Sequence, residues 1–328
     1  MIWCCPRCHG DLLQDIDRLR CADCQSRYET VAGIPDLRVP GDIWIDVADD
    51  LASARKLAAL QCRLPELVRE VYAVRPGWDQ ARIDRRTREV LEAPGKLAID
   101  VRTWLRPLTE GNGPVLDLGC GAGMLIAALA AQGRKAIGID VSMTWLVIAK
   151  RLIAHFGGEP VLAAALGESL PLRKESLGAV ISLDVIEHVR DPDAYLREID
   201  RVMQPGGQVA LSTPNRFSLT SEPHVFVRGV GWLPRPLQAP YVRWRNGRDY
   251  DDTRLMSSLG LKARLRRNTS LDFRILIPEI PSANLISFSP AKAAAARLYN
   301  RLTSLAAMRS VFLLIGPFFR IVGAKARR

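Results

Sequence analysis

The sequence predicts an α/β protein: a doubly wound, Rossmann-like sheet preceded by a small ribbon and a helical linker. Three observations carry this reading. From residue 114 onward, short β-type runs alternate with helical periods, the pattern of a parallel sheet covered on both faces. The first run, "PVLDLGC", opens directly into a loop with glycine at 119, 121 and 123. Well before it, four cysteines fall into two CxxC pairs, Cys5-Pro-Arg-Cys8 and Cys21-Ala-Asp-Cys24.

The 328 residues suffice for one large domain and a small one. The boundaries read as a ribbon over 1–40, a helical linker over 41–108, a main domain over 109–290 and a C-terminal helix with a basic tail over 291–328. A net charge of +11 allows nucleic acid, an anionic membrane surface or an acidic substrate, and chooses none of them. The start, "MIWCCPRCHG", lacks the basic and apolar regions of a secretory signal. The greasiest segment, "VFLLIGPFF", is far shorter than the ~20 residues of a spanning helix and is interrupted by Gly316-Pro317. A cytoplasmic protein with reduced thiols is expected.

Two CxxC knuckles a dozen residues apart have the spacing of a tetrahedral four-cysteine zinc site. The hairpin between them is too small to fold alone, and metal binding supplies about 10–16 kcal/mol in comparable peptides. Cys5, Cys8, Cys21 and Cys24 are the expected ligands. Cys4 is the alternative to Cys5, which gives the matching spacing, and His9 is expected to be a neighbour. Four thiolates close the site, so the zinc is structural. With "LRCADC" and "SRYETVAGIPDLRV", the segment resembles the zinc-ribbon activator subunit of tRNA and protein methyltransferases. That resemblance implies a docking or stabilising module.

In the linker, Leu51, Leu57, Leu60, Leu64, Leu67 and Val71 follow a helical period. Further helices are expected over 79–92 and 95–105, with a turn-rich boundary at 109–114. Beyond it, strands are expected at "PVLDLGC", "KAIGIDV", "EPVLAAAL", "LGAVISLDVI" and "QVALSTP". The helices between them are "MLIAALAAQG", "MTWLVIAKRLIAHF" and "PDAYLREIDRVM", the last closed by "QPGG". In such sheets the ligand lies at the carboxyl ends of the strands.

Bare glycines let a loop turn sharply and let a ligand lie against main chain. A dinucleotide fingerprint would carry a sixth-position glycine where Met124 stands. Asp117, inside the run, is poorly matched to a pyrophosphate and well matched to an ammonium group. Asp140, at the end of the next strand, has the spacing of a carboxylate that accepts from ribose hydroxyls. A nucleoside bearing an ammonium, without phosphate, describes S-adenosylmethionine. "VLDLGCGAG", "IGIDVS", "ESLPL", "ISLDVIEHVRDP" and "VMQPGGQVALSTPN" resemble, in order and spacing, the class I SAM-dependent methyltransferases, most closely the quinone-biosynthesis branch. The resemblance covers roughly residues 95–215. It implies cofactor contacts from Asp117, Gly119, Cys120, Gly121, Gly123, Asp140, Val141, Gly167, Glu168 and Asp184. Family members often carry an acid where Leu166 stands, so the adenine contact falls to main chain, Glu168 or water. Cys120 itself reads as a packing residue.

The fourth strand ends in "LDVIEHV", without the Asn-Pro-Pro-Tyr type of motif that orients an exocyclic amine. By resemblance to quinone-type O-methyltransferases, Asp184, Glu187 and His188 are candidate catalytic residues in substrate or divalent-metal contact. His188 is the candidate general base. The alternative is that Glu187 and His188 cap the helix starting at Asp191. The Pro-, Arg- and aromatic-rich stretch over 215–250 is expected to be a long loop covering the substrate. It offers Asn215, Arg216, His224, Trp232, Tyr241 and Trp244. "DTRLMSSLGLKARLRR" then resembles the usual last helix-turn-strand, with Gly260 ending the helix. The final segment fits either an interfacial membrane anchor or a helix packed on the protein.

The favoured expectation is methyl transfer to a small or lipid-like acceptor at oxygen, with peripheral membrane contact through the tail. The alternatives are an RNA methyltransferase that uses the ribbon and the basic surface, and a non-catalytic docking partner.

Overall fold

The computed structural model describes residues 2–15, 18–39, 45–280 and 288–327. The chain divides into two compact units. The first holds residues 1–182, 190–210 and 324–328, and the second holds 183–189 and 211–323. The ribbon, the linker and the front of the sheet all lie in the first unit.

The first unit opens with β1 (Leu12–Asp15), β2 (Arg18–Cys21), β3 (Arg27–Val31) and β4 (Ile34–Pro35), an antiparallel sheet in that order. Its small core is Leu19, Tyr28, Val31 and Ile34. The segment after β4 leaves along a sheet edge. Asp36 bridges to Ala164 in parallel, and the Leu37 N–H donates to Ala164 O at 2.7 Å. On the other side of the ribbon Trp3 bridges to Leu172, and the Cys4 N–H donates to Pro171 O at 2.9 Å.

Four helices follow: α1 (Val47–Ala59), α2 (Leu64–Ala73), α3 (Gln80–Arg102) and α4 (Arg106–Thr109). Two sequence expectations change here. The leucine period from 51 to 71 is two helices, because Pro65 cannot continue a helix from the preceding turn and sits instead at the start of α2. Conversely, Pro94-Gly95 does not separate two helices. α3 runs through both, with Pro94 buried. One missing hydrogen bond is offset by packing along 23 residues.

The main sheet contains β5 (Val115–Leu118), β6 (Ile137–Asp140), β7 (Val161–Ala164), β8 (Leu177–Leu183) and β9 (Met203–Pro214). α5 (Met124–Ala130), α6 (Met143–His155) and α7 (Pro192–Val202) alternate with them. β5 pairs in parallel with β6 and β8, and β6 with β7. β5 is buried along its whole length, as a central strand covered on both faces must be. The "QPGG" stretch lies within β9, which starts directly after α7. Gly206 takes φ +78° there, a left-handed conformation that favours glycine.

The second unit holds a 3-10 turn at Val230–Trp232, α8 (Arg235–Asn246), α9 (Ser258–Asn268) and β10 (Leu271–Leu276). α10 (Pro290–Ser304), α11 (Ala306–Ile315) and β11 (Phe318–Lys325) complete it. The full strand order is β10-β11-β9-β8-β5-β6-β7, with β8, β9 and β11 each divided between the units. Val225, Val227, Val230, Val242 and Tyr250 form a local core. The stretch expected as a long loop thus contains a helix, α8, with Pro236 in its first turn. Gly260 does not end α9. It lies in the first turn, where its N–H donates to the Ser257 hydroxyl cap at 3.2 Å. The apolar tail is split at Gly316-Pro317 into α11 and β11, and Phe319 and Ile321 are buried. Lys325, read as part of a basic tail, is also buried, its Nζ donating to Asp200 O at 2.6 Å and Met203 O at 2.9 Å. Among the described residues no helix is long and apolar enough to cross a membrane.

Gly123 links loop and packing. Its φ is +72°, and a Cβ there would stand 2.8 Å from the Cβ of Ala149 on α6. Gly123→Ala should lower unfolding free energy by about 2–3 kcal/mol, from left-handed strain plus overpacking. Urea denaturation of the ligand-free protein checks this.

Candidate functional site

The ribbon brings Cys5, Cys8, Cys21 and Cys24 together, with all four sulfurs within 4.8 Å of one another. The Cys5–Cys24 and Cys8–Cys21 separations are 3.6 and 3.4 Å. A tetrahedral site with Zn–S bonds of about 2.3 Å has sulfur edges of roughly 3.8 Å, so the donors fit the metal. The two knuckles match in their main chain. The Cys5 N–H donates to Gly10 O and the Cys21 N–H to Ser26 O, both at 2.9 Å. His9 and Gln25, which follow the second cysteine of each pair, both turn left-handed, at φ 59° and 58°. His9 thus occupies a conformational position equivalent to a glutamine, and its Nδ1 faces Cys4 Sγ at 3.8 Å.

At the carboxyl ends of β5 and β6, Gly119, Gly121 and Gly123 all have positive φ. A Cβ on Gly121 would meet nothing within 4 Å, so this main chain faces open space. The Asp140 carboxylate ties the two strand ends together: Oδ2 accepts from the Gly121 N–H and Oδ1 from the Ser142 N–H, each at 2.8 Å. Asp117 is buried, and no side-chain hydrogen bond or ion pair to it is found among the described residues. Burial, with the Asp140 charge adding, pushes its pKa up to about 8. A buried acid with no counter-charge fits a ligand that brings a cation. Open glycine main chain fits a ligand lying against it. Both features suit a sulfonium nucleoside with an amino-acid end.

The other expected cofactor residues are less open. Cys120 is buried and packs against Gly138, where a Cβ would meet its sulfur at 2.9 Å. The Val141 carbonyl accepts from Arg38 at 2.9 Å. Gly167 lies against the Tyr195 ring, 2.5 Å from where its Cβ would stand. Glu168 Oε1 accepts from the Arg190 N–H at 2.9 Å.

Asp184, Glu187 and His188 follow the end of β8. Asp184 is exposed with φ 57°, a conformation tolerated best by Asp and Asn among side-chain-bearing residues, and accepts from the Ser212 hydroxyl at 2.8 Å. Glu187 is fully buried. Its Oε2 accepts from the Thr213 hydroxyl at 2.9 Å, while Oε1 has no hydrogen-bond partner. Burial first, and then Asp184, raise its pKa to about 8. His188 Nδ1 lies 3.1 Å from Asp252 O, and its Nε2 lies 3.0 Å from His224 Nε2. His224 Nδ1 meets Glu222 Oε1 at 2.5 Å.

These partners set the protons. A carbonyl requires Nδ1–H on His188, leaving its Nε2 as an acceptor, so His224 must donate from Nε2. His224 also donates from Nδ1 to Glu222, which makes it an imidazolium. The titration tendencies agree. Burial and the charge of His224 lower His188, whereas Glu222 and Glu187 outweigh burial and raise His224. Glu187 and His188 do not cap α7. Asp191 does, accepting from the Asp193 and Ala194 N–H groups.

The remaining expected residues have other partners. The Asn215 side-chain amide donates to Leu314 O and Gly316 O, at 2.9 and 2.8 Å. Arg216 Nε donates to Gly231 O, and Tyr241 Oη to Arg228 O. Trp232 is half exposed, with Nε1 donating to Ser218 O, and Trp244 is exposed. Sequence reasoning missed Glu222, Thr213 and Asp252. Glu222-Pro-His224 was visible as an acid two residues before a histidine.

The sheet and its glycine loop form an α/β methyltransferase-type fold. Residues 116–211 match the family described as "Methyltransferase domain". Among the relatives, the ubiquinone biosynthesis O-methyltransferases of Pseudomonas putida (strain W619) and Pseudomonas fluorescens (strain SBW25) are each 39% identical over 106 residues. That match covers 31% of this chain and 44% of each relative, so the chain spans less than half the length of the curated relatives it matches. Two solved structures are similar at low identity. A Haemonchus contortus phosphoethanolamine N-methyltransferase 2 bound to S-adenosyl-L-methionine is 16% identical, with 71% of this chain and 53% of that one covered and a TM-score of 0.45. A SAM-dependent methyltransferase from Archaeoglobus fulgidus is 18% identical, with 71% and 94% covered and a TM-score of 0.44. At these scores neither bears on substrate.

Asp117 and Glu187 are carboxyls whose folded pKa lies above the unfolded value, so the folded chain keeps protons that the unfolded chain has lost. Stability of the ligand-free protein should fall as pH rises from about 4 toward about 8. Asp117→Asn and Glu187→Gln should each flatten that decline, as read from urea midpoints across the range.

Proposed function

We propose that the protein is a SAM-dependent methyltransferase acting on a hydroxyl of a small or lipid-like acceptor. The observation that carries the oxygen assignment is the hydrogen-bonded series Glu222–His224–His188–Asp252, a built proton acceptor following the fourth strand of the chain's α/β alternation. The cofactor assignment rests on the Asp117–Gly121–Asp140 cradle. When bound, S-adenosylmethionine supplies an electrophilic methyl carbon on its sulfonium.

The chain's own residues do the rest. Asp117 receives the cofactor's ammonium and Asp140 the ribose hydroxyls. His188 is kept neutral at Nε2, with its Nδ1 proton held by Asp252 O. An acceptor hydroxyl that enters in place of the His224 contact would deliver its proton to that nitrogen, while its oxygen takes the methyl group and the methyl–sulfur bond of the cofactor breaks. Glu222 holds His224 by its Nδ1 proton, so the second ring is oriented whichever side the proton occupies.

The same cluster also supports an alternative to the base, in which His188 and a deprotonated His224 act as metal ligands instead of as the proton acceptor and its partner. Ligand atoms of Glu187, His188 and His224 lie within 4.8 Å of one another, and Glu187 Oε1 is buried without a hydrogen bond, 4.0 Å from His224 Nε2. The 3.0 Å between the two Nε2 atoms matches an octahedral edge for bonds of about 2.1 Å. A divalent cation held there would draw the acceptor oxygen toward its anionic form. In the ribbon, the four cysteines are proposed to hold a structural zinc.

Asp140→Ala should weaken S-adenosylhomocysteine binding at least about tenfold by calorimetry. His188→Ala should lower kcat toward phenolic or lipid-linked hydroxyl acceptors by about 10² or more. Near-wild-type turnover of His188→Ala across pH 6–9 contradicts the base assignment, and salt-sensitive methylation of RNA in its place contradicts the acceptor class.

A further inference from the structure

Resting on the cofactor reading above, a second set of residues bears on the same site without lining it. Arg38, three residues past β4, and Asp50, on α1, form an ion pair at 2.8 Å, with side chains only 3% and 8% exposed. Both reach across to the turn that follows β6. Asp50 Oδ1 accepts from the Ser142 hydroxyl at 2.9 Å and the Thr144 N–H at 3.1 Å, and Oδ2 accepts from the Met143 N–H at 2.8 Å. The Thr144 hydroxyl donates to Asp50 O at 3.1 Å. The same Arg38 nitrogen that meets Asp50 donates to Val141 O at 2.9 Å. Arg38 Nε and Nη2 are held by Asp36 at 2.7 Å each. Asp36 is in turn fixed by β3, its N–H donating to Glu29 O, and by its bridge to Ala164.

Four successive residues, Val141 to Thr144, are thus gripped by side chains from the ribbon exit and the linker. The turn's own cap is weak: the Ser142 hydroxyl meets the Trp145 N–H only at 3.4 Å. Asp50 supplies the stronger one, an anion placed on the first-turn N–H groups of α6. Burial works against its charge, but the Thr144, Met143 and Arg38 bonds prevail and hold it below the usual carboxylate range. The consequence for the site is direct. Ser142 is one of the two main-chain donors that orient Asp140, so whatever fixes Ser142 fixes the carboxylate expected on the ribose.

We propose that Asp50 and Arg38 are positioning residues for the nucleoside site: they hold the Asp140–Ser142 turn in its receiving geometry, so the ribbon and linker set cofactor affinity through contacts to the turn. A buried ion pair is a poor device for stability alone, since desolvation offsets most of its attraction. Its bonds are concentrated on the one turn that bears the ribose carboxylate.

The test uses the full chain and S-adenosylhomocysteine. Calorimetry is run on wild type, Asp50→Ala, Asp50→Asn, Arg38→Met and Asp140→Ala, with amide hydrogen exchange at Val141–Trp145. Asp50→Ala and Arg38→Met should raise Kd about tenfold or more and speed exchange at those amides. Asp50→Asn, which keeps one carbonyl acceptor and the side-chain shape, should recover part of both effects and remain folded if the other variants do not. In turnover, cofactor KM should rise while kcat at saturation changes by less than about twofold, a split that general loss of folded protein does not produce. Wild-type affinity in both Asp50 variants, with binding abolished in Asp140→Ala, overturns this inference and leaves the cofactor reading intact. No binding by wild type overturns both.

Discussion

The Asp140 carboxylate is the joint on which the rest depends. One oxygen holds Gly121 and the other holds Ser142, so a single side chain fixes both the glycine loop and the start of α6. Its neighbour Asp117 is buried with no counter-charge among the described residues, and burial together with the Asp140 charge pushes its pKa up to about 8, which keeps it protonated without a ligand. The ligand-free loop is therefore electrostatically unfinished. The remedy is a cation, and the open main chain over Gly121 is where a flat nucleoside can lie.

The ribbon's relation to this site comes through main chain and one buried ion pair. Its exit adds along β7 at Asp36 and Leu37, its start bridges to Leu172, and its four sulfurs close a compact hairpin. A small module with its own sheet is thus tied to the edge of the main sheet by an isolated bridge. In the second unit, Glu187 and the two histidines show a different economy. Glu222 raises the pKa of His224 against burial, and burial followed by the His224 charge lowers that of His188.

The strands and helices of the alternating region were legible because their periods are short and their glycines punctuate them. The cysteine pairs were legible because spacing alone carries the chemistry. What was not legible depended on the third dimension. Pro94-Gly95 looked like a break, and only the packing of α3 shows why the helix continues. Gly260 looked like a helix end, and only the Ser257 cap shows that it is a beginning. Asn215 and Arg216 were legible as candidate pocket residues, but their bonds to main-chain carbonyls were not. Asp50 carried no motif at all, and Glu222 only that of an acid two residues before His224. Their importance comes from partners 2 and about 90 positions away, and the second kind of pairing is invisible along a chain.

The measurement that tests the account most directly is proton release on binding S-adenosylhomocysteine, from calorimetry at pH 7 in two buffers of different ionisation enthalpy. Asp117, protonated in the free site with a pKa of about 8, must ionise to meet the ligand's ammonium, so close to one proton should leave per ligand bound. In Asp117→Asn that release should vanish. Tight binding with no proton release in the wild-type chain would contradict the claim that a buried, uncompensated acid defines this site.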